Sequence, residues 1–417
     1  MVTATPRQII LISQVFYPDL QSNGQLFTPL LTEIASSGRT KVTVICGFPS
    51  SLRDQSVRIS RREIYRNIHI HRCGLLVDGK KSMFMRLVAY ISFVLHTSLV
   101  LLLTRQKDAV LGVSNPPFMA IVLWFVSIIG RFDYDFMLLD VYPEGLFATG
   151  LLNPRSISAR CWKGLNRRSY RRARRLIVLG RDMKALLCET YGVMPDRIVW
   201  IPLWSVVEQA EPLPFCGESM AGQLGLQEKF VVQYSGNMGL WHDIESFVRA
   251  AADLQSESHI HFLFIGGGMR RAPAEALSLK LALNNVTWID FVPKDMLARS
   301  LACCHLSLIS LRQGLEGVAV PSKLYGILAS ARAIVAQVPN TSEVAKVVSE
   351  EKCGVVVAPG DHAQLVHAIR ELSRNITTVD SMGRNSLKAY ESKYTLRQAI
   401  VAFENFWGIT STLPPGP

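Results

Sequence analysis

Residues 230–254 read FVVQYSGNMGLWHDIESFVRAAADL, and this stretch decides the fold class. Its first six residues form a mainly apolar run rich in Val and aromatic side chains, and two glycines follow within the next four positions. From residue 242 onward, apolar residues recur every three or four positions, which is the spacing of an amphipathic helix. A short apolar run, a glycine turn and a helix together make the strand–turn–helix unit of parallel sheets.

The same alternation runs along the whole chain. Strands covered by helices on both faces are continuous apolar runs, so the pattern predicts βαβ units. We therefore predict an α/β protein with two Rossmann-like domains facing each other, each a mostly parallel sheet with helices on both faces. The predicted strands are 8–16, 41–48, 68–73, 109–113, 134–139, 176–179 and 198–203, then 230–235, 259–266, 286–292, 306–311, 333–337 and 354–358.

A stretch rich in proline and glycine, residues 206–226, interrupts this rhythm. Such composition is typical of a linker. We expect an N-terminal domain over 1–205, a linker over 206–226 and a second domain over 227–385. Residues 386–417 contain an aromatic-rich helical pattern that either completes the second domain or crosses back onto the first.

Length and composition limit the class of protein. A length of 417 residues is too great for one ordinary core. Hydrophobic residues make up 49% and charged residues 19%, a composition that excludes bulk disorder. The net charge of +12 favours an anionic partner, such as nucleic acid, anionic lipid or a phosphorylated small molecule. The eight cysteines form no CxxC or metal-spaced cluster, which is typical of reduced, buried thiols. With no secretory signal pattern at the start, we expect a cytoplasmic protein.

Two further stretches indicate a membrane surface. Residues 87–103 are 17 positions without a formal charge, the lower limit for a span of about 17–25 residues. A true span would separate strands of one sheet, so we expect a helix that packs on the first domain and dips one face into the lipid interface. Residues 160–184 contain ten Lys and Arg against one acid, Asp182. This tract favours peripheral binding to the inner face of a membrane over nucleic acid, whose recognition folds are missing.

Three glycine-containing loops follow predicted strands. Ligands of parallel sheets bind beyond the carboxyl ends of the strands, so each loop is a candidate site. A plain strand-to-helix turn explains each of them as well, and the third lacks the dinucleotide fingerprint. They are 17–25 with Asn23 and Gly24, 234–239 with Gly236 and Asn237, and 265–268 with Gly266.

Pro321 and Ser322 are typical of a helix start, with proline near the first helical position and serine able to cap. Lys323 then lies in the first turn, where a cation is unfavourable against the helix dipole. A bound phosphate would remove this conflict, because its oxygens would accept hydrogen bonds from the amides and from Lys323. We therefore favour a phosphate site here over a Lys323 side chain that extends into water.

Two carboxylates, Asp140 and Glu144, follow the strand pattern 134–139. At the mouth of a sheet they would orient an acceptor hydroxyl or accept its proton. The alternative is that Asp140 caps the loop and Glu144 is solvated.

Together these motifs resemble, over nearly the whole chain, the retaining glycosyltransferases with the GT-B fold of bacterial polysaccharide and glycolipid assembly. The likeness is greatest to the branch typified by colanic-acid and O-antigen enzymes. The motifs that carry it are FYP and NG within 16–24, DVYPE at 140–144, YRRA at 170–173, YSGNMG at 234–239 and VPSKLYG at 320–326.

The resemblance implies a nucleotide-sugar donor, foremost a UDP-sugar, held by the second domain, and a lipid-linked or glycan acceptor entering from the first. It implies no cofactor and no metal, because helix dipoles and basic side chains stabilise the leaving diphosphate. The D-x-D string at 133–135 stands at the wrong end of its strand for a metal site. The implied residues are Asp140, Glu144 and Lys323 for catalysis, Asn23 and Gly24 for the acceptor, and Gly236, Asn237, His242, Gly266, Phe291, Val292, Glu316, Gly317, Ser322 and Lys323 for the donor.

Two departures from the family pattern leave other functions open. Val318 and Gly326 stand where the family has a pair of glutamates, and His242 is the only candidate substitute for a missing basic pair. A catalytically weakened partner subunit that binds a membrane or another transferase is therefore one alternative. A sugar-nucleotide epimerase of the same architecture is another, although it needs neither the apolar helix nor the basic tract.

Overall fold

The structure is a computed structural model that describes residues 7–19, 22–49, 59–75, 83–206 and 220–409. The chain forms two compact units. The first comprises Met1–Pro143, Leu152–Pro202 and Leu396–Pro417, and the second comprises Glu144–Leu151 and Leu203–Thr395. Each unit contains one sheet with helices packed on it, so the predicted α/β class with two parallel-sheet domains is confirmed.

The sheet of the first unit has eight strands in the order β3-β4-β2-β1-β5-β6-β7-β8. All neighbours are parallel except β3 and β4. The strands are β1 (Arg7–Ile12), β2 (Thr40–Cys46), β3 (Arg62–Tyr65), β4 (Ile68–Arg72), β5 (Ala109–Val113), β6 (Asp135–Leu138), β7 (Leu176–Val178) and β8 (Ile198–Trp200).

The sheet of the second unit has six parallel strands in the order β11-β10-β9-β12-β13-β14. They are β9 (Phe230–Ser235), β10 (Ile260–Ile265), β11 (Val286–Ile289), β12 (Leu306–Ser310), β13 (Ala333–Gln337) and β14 (Gly354–Val357).

Helices follow most strands. Several begin at a residue whose side chain accepts a hydrogen bond from the first turn, as Asp243 does from the Ser246 amide at 3.3 Å. The helices are α1 (Ser22–Ser36), α2 (Met83–Leu103), α3 (Met119–Gly130), α4 (Glu144–Ala148), α5 (Ile157–Arg172), α6 (Arg181–Tyr191), α7 (Met220–Gln223), α8 (Ile244–Asp253), α9 (Arg271–Lys280), α10 (Leu297–Leu301), α11 (Lys323–Ala329), α12 (Glu343–Glu350), α13 (His362–Arg374), α14 (Ile376–Lys393) and α15 (Leu396–Trp407).

All thirteen predicted strands are present, several of them shorter than predicted, and β3 is an additional one. Its side chains alternate between exposed and half-buried, so it lacks the apolar run that marks a covered strand. Arg66 and Asn67 join it to β4 with positive φ angles of 44° and 65°, which suit a tight hairpin turn.

The unit boundaries differ from the predicted domains in three places. Residues 144–151 belong to the second unit, because Gly145 packs against side chains of that unit. Within the expected linker, 207–219 lie outside the described residues, whereas Ala221 and Leu226 pack in a buried cluster with β9 and β10. Of the two alternatives for the C-terminal helix, α15 crosses back onto the first unit, and α14 remains in the second.

The uncharged stretch 87–103 lies within α2, which packs against α3. None of the described helices has the length and apolar character needed to cross a bilayer. One face of α2 is buried through Phe93, Thr97 and Leu101, as expected for a helix docked on its domain.

Much of the basic tract has structural partners. The guanidinium groups of Arg174 and Arg175 contact the buried carboxylate of Asp135, and Arg172 pairs with Asp133 at 2.8 Å. These contacts use both carboxylates of the D-x-D string within the first unit. Arg172, Arg174 and Arg175 are therefore engaged within the first unit.

The cysteines are mostly buried, as predicted. Cys161 is exposed and Cys188 is half-buried, and Cys216 lies outside the described residues. The buried ones are Cys46, Cys73, Cys303, Cys304 and Cys353.

Candidate active site

The loops after β9 and β10 interlock at the carboxyl edge of the second sheet. Gly236 and Gly266 have φ angles of +122° and +121°, a region that side chains rarely adopt. A Cβ added at Gly266 would lie 2.3 Å from the carbonyl oxygen of Gly236, so the two loops need glycine to approach. Gly236 donates its amide to Ile265 at 2.9 Å, and Met238 donates to Gly267 at 2.7 Å. The Gly236 amide is therefore engaged within the loops.

Lys323, the first residue of α11, extends its side chain to the loop after β9. Its Nζ atom lies 3.4 Å from the centroid of the Tyr234 ring. A Cβ added at Gly236 would lie 3.7 Å from the same atom. Within the described ranges this Nζ is shielded from solvent and has no hydrogen-bond partner. Lys323 and Gly236 are thus brought together, and the alternative of a Lys323 side chain extended into water is wrong.

Burial also decides the protonation of Lys323. Because the ammonium loses water without gaining a carboxylate, its pKa falls well below the ordinary value. The Tyr234 ring stabilises the cation through its π face but supplies no counter-charge. Lys323 is therefore an amine whose charged form an arriving anion would stabilise.

His242 follows Tyr234 by eight residues and packs against the same ring. Its Nδ1 is 2.6 Å from the carbonyl oxygen of Ser310, and the two aromatic rings meet edge-on at 6.2 Å. Burial, and secondly the charge of Lys323, lower the pKa of His242 to about 3. The imidazole is neutral near pH 7 and donates from Nδ1 to the carbonyl. His242 accordingly does not replace the positive charge of the family's basic pair.

Helix α4 places Glu144 in the second unit. A Cβ added at Gly145 would lie 2.9 Å from the Trp241 ring and 3.3 Å from Val318, so α4 sits directly on the loops after β9 and β12. Glu144 is only 9% exposed, which excludes the alternative of a solvated carboxylate. Although predicted on the acceptor side, Glu144 belongs with the candidate donor loops.

Asp140 lies at the carboxyl end of β6 in the first unit. The Ser114 hydroxyl accepts hydrogen bonds from the amides of Leu139 and Asp140 at 2.9 and 3.2 Å, which fixes this turn. Burial raises the pKa of the Asp140 carboxyl to about 7. A half-buried carboxyl that titrates near neutrality is suited to proton transfer.

Asn23 and Gly24 lie in the first turn of α1, after β1. A Cβ added at Gly24 would be 2.5 Å from the carbonyl oxygen of Asp19, so the loop closes on the helix only with glycine there. The order β1-β5-β6 places these residues and Asp140 at the same edge of the first sheet, two strands apart.

Phe291 follows β11 and is 62% exposed. A Cβ added at Gly266 would lie 3.2 Å from the Phe291 ring, and one added at Gly267 would lie 3.1 Å from it. The aromatic side chain therefore borders the glycine loops. Val292 instead packs against the buried cluster of α7. Of the two residues predicted near the base, only Phe291 presents an exposed side chain.

The loop before α11 contains Glu316 and Gly317 and ends at Ser322. The Glu316 carboxylate accepts from the Gly314 amide at 2.8 Å and so stabilises its own turn. Gly317 is buried with a φ of +72°. Ser322 is exposed and makes no capping hydrogen bond, because its backbone is already helical, so the expected serine cap is wrong.

A cavity of about 170 Å³ opens at the carboxyl ends of β12 and β13. Ser310 joins it to the site, since its carbonyl oxygen contacts His242 and its hydroxyl accepts from the Asp243 amide at 2.8 Å. The lining residues are Asp243, Ser310, Leu311, Arg312, Gln313, Gln337 and Pro359.

Sequence reasoning missed the roles of Tyr234 and Trp241. Tyr234 supports Lys323, and Trp241 supports α4, yet both are ordinary aromatic residues in their local patterns. The position of Tyr234, two residues before Gly236 at the end of a buried strand, was the only available signal.

Comparison with known proteins agrees with this geometry. A family model described as glycosyl transferases group 1 matches residues 229–375, which lie in the second unit. The chain is 28% identical over 299 residues to the probable glycosyltransferase WbjE of Pseudomonas aeruginosa, covering 72% of this chain and 74% of that protein. It is 24% identical over 266 residues to the putative colanic acid biosynthesis glycosyl transferase WcaI of Escherichia coli (strain K12), covering 62% and 65%.

Among solved structures, HepE from Anabaena in complex with UDP-glucose has the same fold. The TM-score is 0.69 at 15% identity, covering 96% of this chain and 99% of HepE. The matched fold extends over both units, and the matched family model covers the loops that contain Gly236, Gly266 and Lys323. We conclude that residues 229–375 form a glycosyl transferases group 1 domain and that the chain has the GT-B fold.

Proposed function

We propose that this chain transfers a sugar from a nucleotide-sugar donor, first of all a UDP-sugar, to a lipid-linked or membrane-proximal acceptor. The UDP-glucose in the HepE structure supports the class of donor. The name of WcaI supports a role in bacterial polysaccharide or glycolipid biosynthesis. The observation that carries the proposal is the shielded Nζ of Lys323, which contacts Tyr234 but has no hydrogen-bond partner among the described residues.

A diphosphate supplies what Lys323 lacks. Its oxygens would accept from the ammonium, and their negative charge would raise the lowered pKa of the amine. When the bond between the sugar and the diphosphate breaks, further negative charge develops on the leaving oxygen. A cation already in place stabilises that charge without reorganisation, and such contacts contribute about 100-fold or more to turnover.

The residues around Lys323 suit the remaining parts of a nucleotide. Asn237 is exposed beside Gly236 and offers an amide side chain to the phosphates. The exposed ring of Phe291 offers a stacking surface for the base. Gly326 has no side chain to offer the ribose, so a ribose contact from the glutamate that the family has at this position has to be replaced by another group.

For the acceptor we propose a hydroxyl near Asp140. Its carboxyl titrates at about 7, so it is partly ionised at neutral pH and accepts the hydroxyl proton as the new glycosidic bond forms. Glu144, Asn23 and Gly24 would orient donor sugar and acceptor. We further propose that the anomeric configuration is retained and that Lys323, rather than a divalent metal, neutralises the leaving diphosphate.

Calorimetry with the purified chain tests the proposal. Titration with UDP, GDP and ADP, followed by the corresponding sugar nucleotides, should give saturable binding, with the uridine series tightest. No binding of any nucleoside diphosphate would overturn the proposal and favour the weakened partner subunit that Gly326 and Val318 suggest. NMR of the first product formed reports the anomeric configuration, and an inverted product would contradict retention.

A further inference from the structure

Helix α2 has an exposed apolar stripe on the face opposite its buried one. Leu87, Ile91, Leu95 and Leu99 are 54%, 47%, 66% and 54% exposed. Residues spaced by four lie above one another on a helix, so these side chains form one continuous ridge. A water-facing helix normally carries charged residues on this face.

Helix α3 extends the same apolar surface. Phe125, Ile128 and Ile129 are 50%, 53% and 70% exposed, and α3 contains no charged residue. A Cβ added at Gly130 would lie 3.1 Å from the Leu102 side chain, so the last turns of α2 and α3 touch. The ridge therefore continues across both helices through Leu102 and Leu103, which are 38% and 71% exposed.

Cations border this surface. Arg105 and Arg131 are exposed immediately after the joined ends of α2 and α3. Helix α3 also packs against α5, whose Arg160 and Arg168 are exposed. This arrangement matches a lipid interface, where apolar side chains enter the acyl boundary and arginines remain with the phosphates.

We propose that the exposed face of α2 and α3 in the first unit inserts into the surface of an anionic bilayer. The inference rests on the membrane-proximal acceptor of the proposed function, and it names the surface that makes the contact. A symmetric dimer is the other way to cover such a ridge, but it would bring the bordering arginines of two copies together. The cationic border therefore favours anionic lipid over a second copy of the chain.

Sedimentation with vesicles, without any nucleotide present, tests the surface. The wild type should bind phosphatidylcholine vesicles that contain phosphatidylglycerol, and bind pure phosphatidylcholine weakly. Leu95→Glu/Leu99→Glu on α2 and Ile129→Glu on α3 should each weaken vesicle binding at least about tenfold. In each variant, a charge replaces a leucine or isoleucine that enters the bilayer. Leu279→Glu is the matched control, since Leu279 is 77% exposed on α9 of the other unit, and it should bind as the wild type does.

Arg105→Gln/Arg131→Gln should reduce the preference for anionic vesicles while leaving the weak binding to neutral ones. Vesicle binding retained by the glutamate variants would overturn the proposal. A wild type that does not bind vesicles would overturn it as well. A wild-type dimer that the same substitutions convert to monomers would assign the face to a second copy. Calorimetric binding of UDP without vesicles separates these outcomes, because failure there concerns the donor site and leaves the vesicle result standing.

Discussion

Lys323 and Asp140 are the two residues whose burial most alters the chemistry of the candidate site. Burial disfavours the charged form of each, so the pKa of the amine falls and that of the carboxyl rises to about 7. Such opposed shifts are typical of catalytic groups, although structural groups show them too. A bound anion favours the charged form of Lys323, and a bound cation favours the charged form of Asp140.

The raised pKa of Asp140 predicts how transfer depends on pH. The carboxylate accepts the proton of the acceptor, so kcat should increase as the pH rises through about 7. Asp140→Asn should lower kcat by about 100-fold or more and remove this rise. A pH profile of sugar transfer measures both effects. If the wild-type rate does not change across that range, Asp140 is not the base.

The lowered pKa of Lys323 predicts a stability effect with a definite sign. The folded state binds the proton of this amine less tightly than the unfolded state does, so its burial destabilises the protein at low pH. That cost disappears as the pH rises from the lowered pKa towards the ordinary value near 10.4. Lys323→Met should therefore raise the Tm most at neutral and acidic pH and least in alkali. A Tm that falls equally at every pH would contradict the finding that Nζ has no hydrogen-bond partner among the residues that the structure describes.

At the scale of elements, α4 depends on the missing side chain of Gly145. Gly145→Val would push added methyl groups into the Trp241 ring and Val318, so we expect a loss of about 2 kcal/mol in the free energy of unfolding. Urea denaturation measures this loss. Gly145→Val should also lower turnover, because α4 contains Glu144.

Gly164, in the middle of α5, is the matched glycine. A Cβ added there meets nothing within 4 Å, so Gly164→Ala should stabilise the protein by about 0.5–1 kcal/mol through helix propensity alone. Equal losses from the two substitutions would mean that the close packing at Gly145 has no special importance.

Burial on both faces gives the clearest strand patterns in the sequence. β5 and β7 are buried at every residue and appear as unbroken apolar runs. β3 has an alternating, half-exposed pattern at the edge of the sheet and lacks such a run. Helix α4 was also missed, because five residues give too little periodicity to recognise.

At the scale of the whole molecule, sequence reasoning identified the loops but not their contacts. The family resemblance implied that Lys323 and Gly236 both bind the donor, and the structure shows that the Lys323 side chain reaches Gly236. Sequence reasoning could not show that Glu144 joins the second unit, since that assignment depends on a packing contact between residues about a hundred positions apart. Partners of buried groups, such as Tyr234 for Lys323, likewise depend on tertiary structure.

Metal chelation tests whether Lys323, rather than a divalent metal, supplies the positive charge that neutralises the leaving diphosphate. If Lys323 neutralises the leaving diphosphate, transfer assayed in excess EDTA should stay within about twofold of the untreated rate, well short of the loss that follows removal of a principal electrostatic contact. A rate that collapses with EDTA and recovers with magnesium or manganese would show that a cation shares this role.

The central claim is that Lys323 binds the diphosphate of the donor, and the affinity of Lys323→Met for UDP tests it most directly. Lys280→Met is the matched control, because Lys280 is an exposed lysine on α9 of the same unit. We predict that calorimetry shows UDP binding weakened about tenfold or more by Lys323→Met and unchanged by Lys280→Met. Equal affinity of the two variants for UDP would contradict the account.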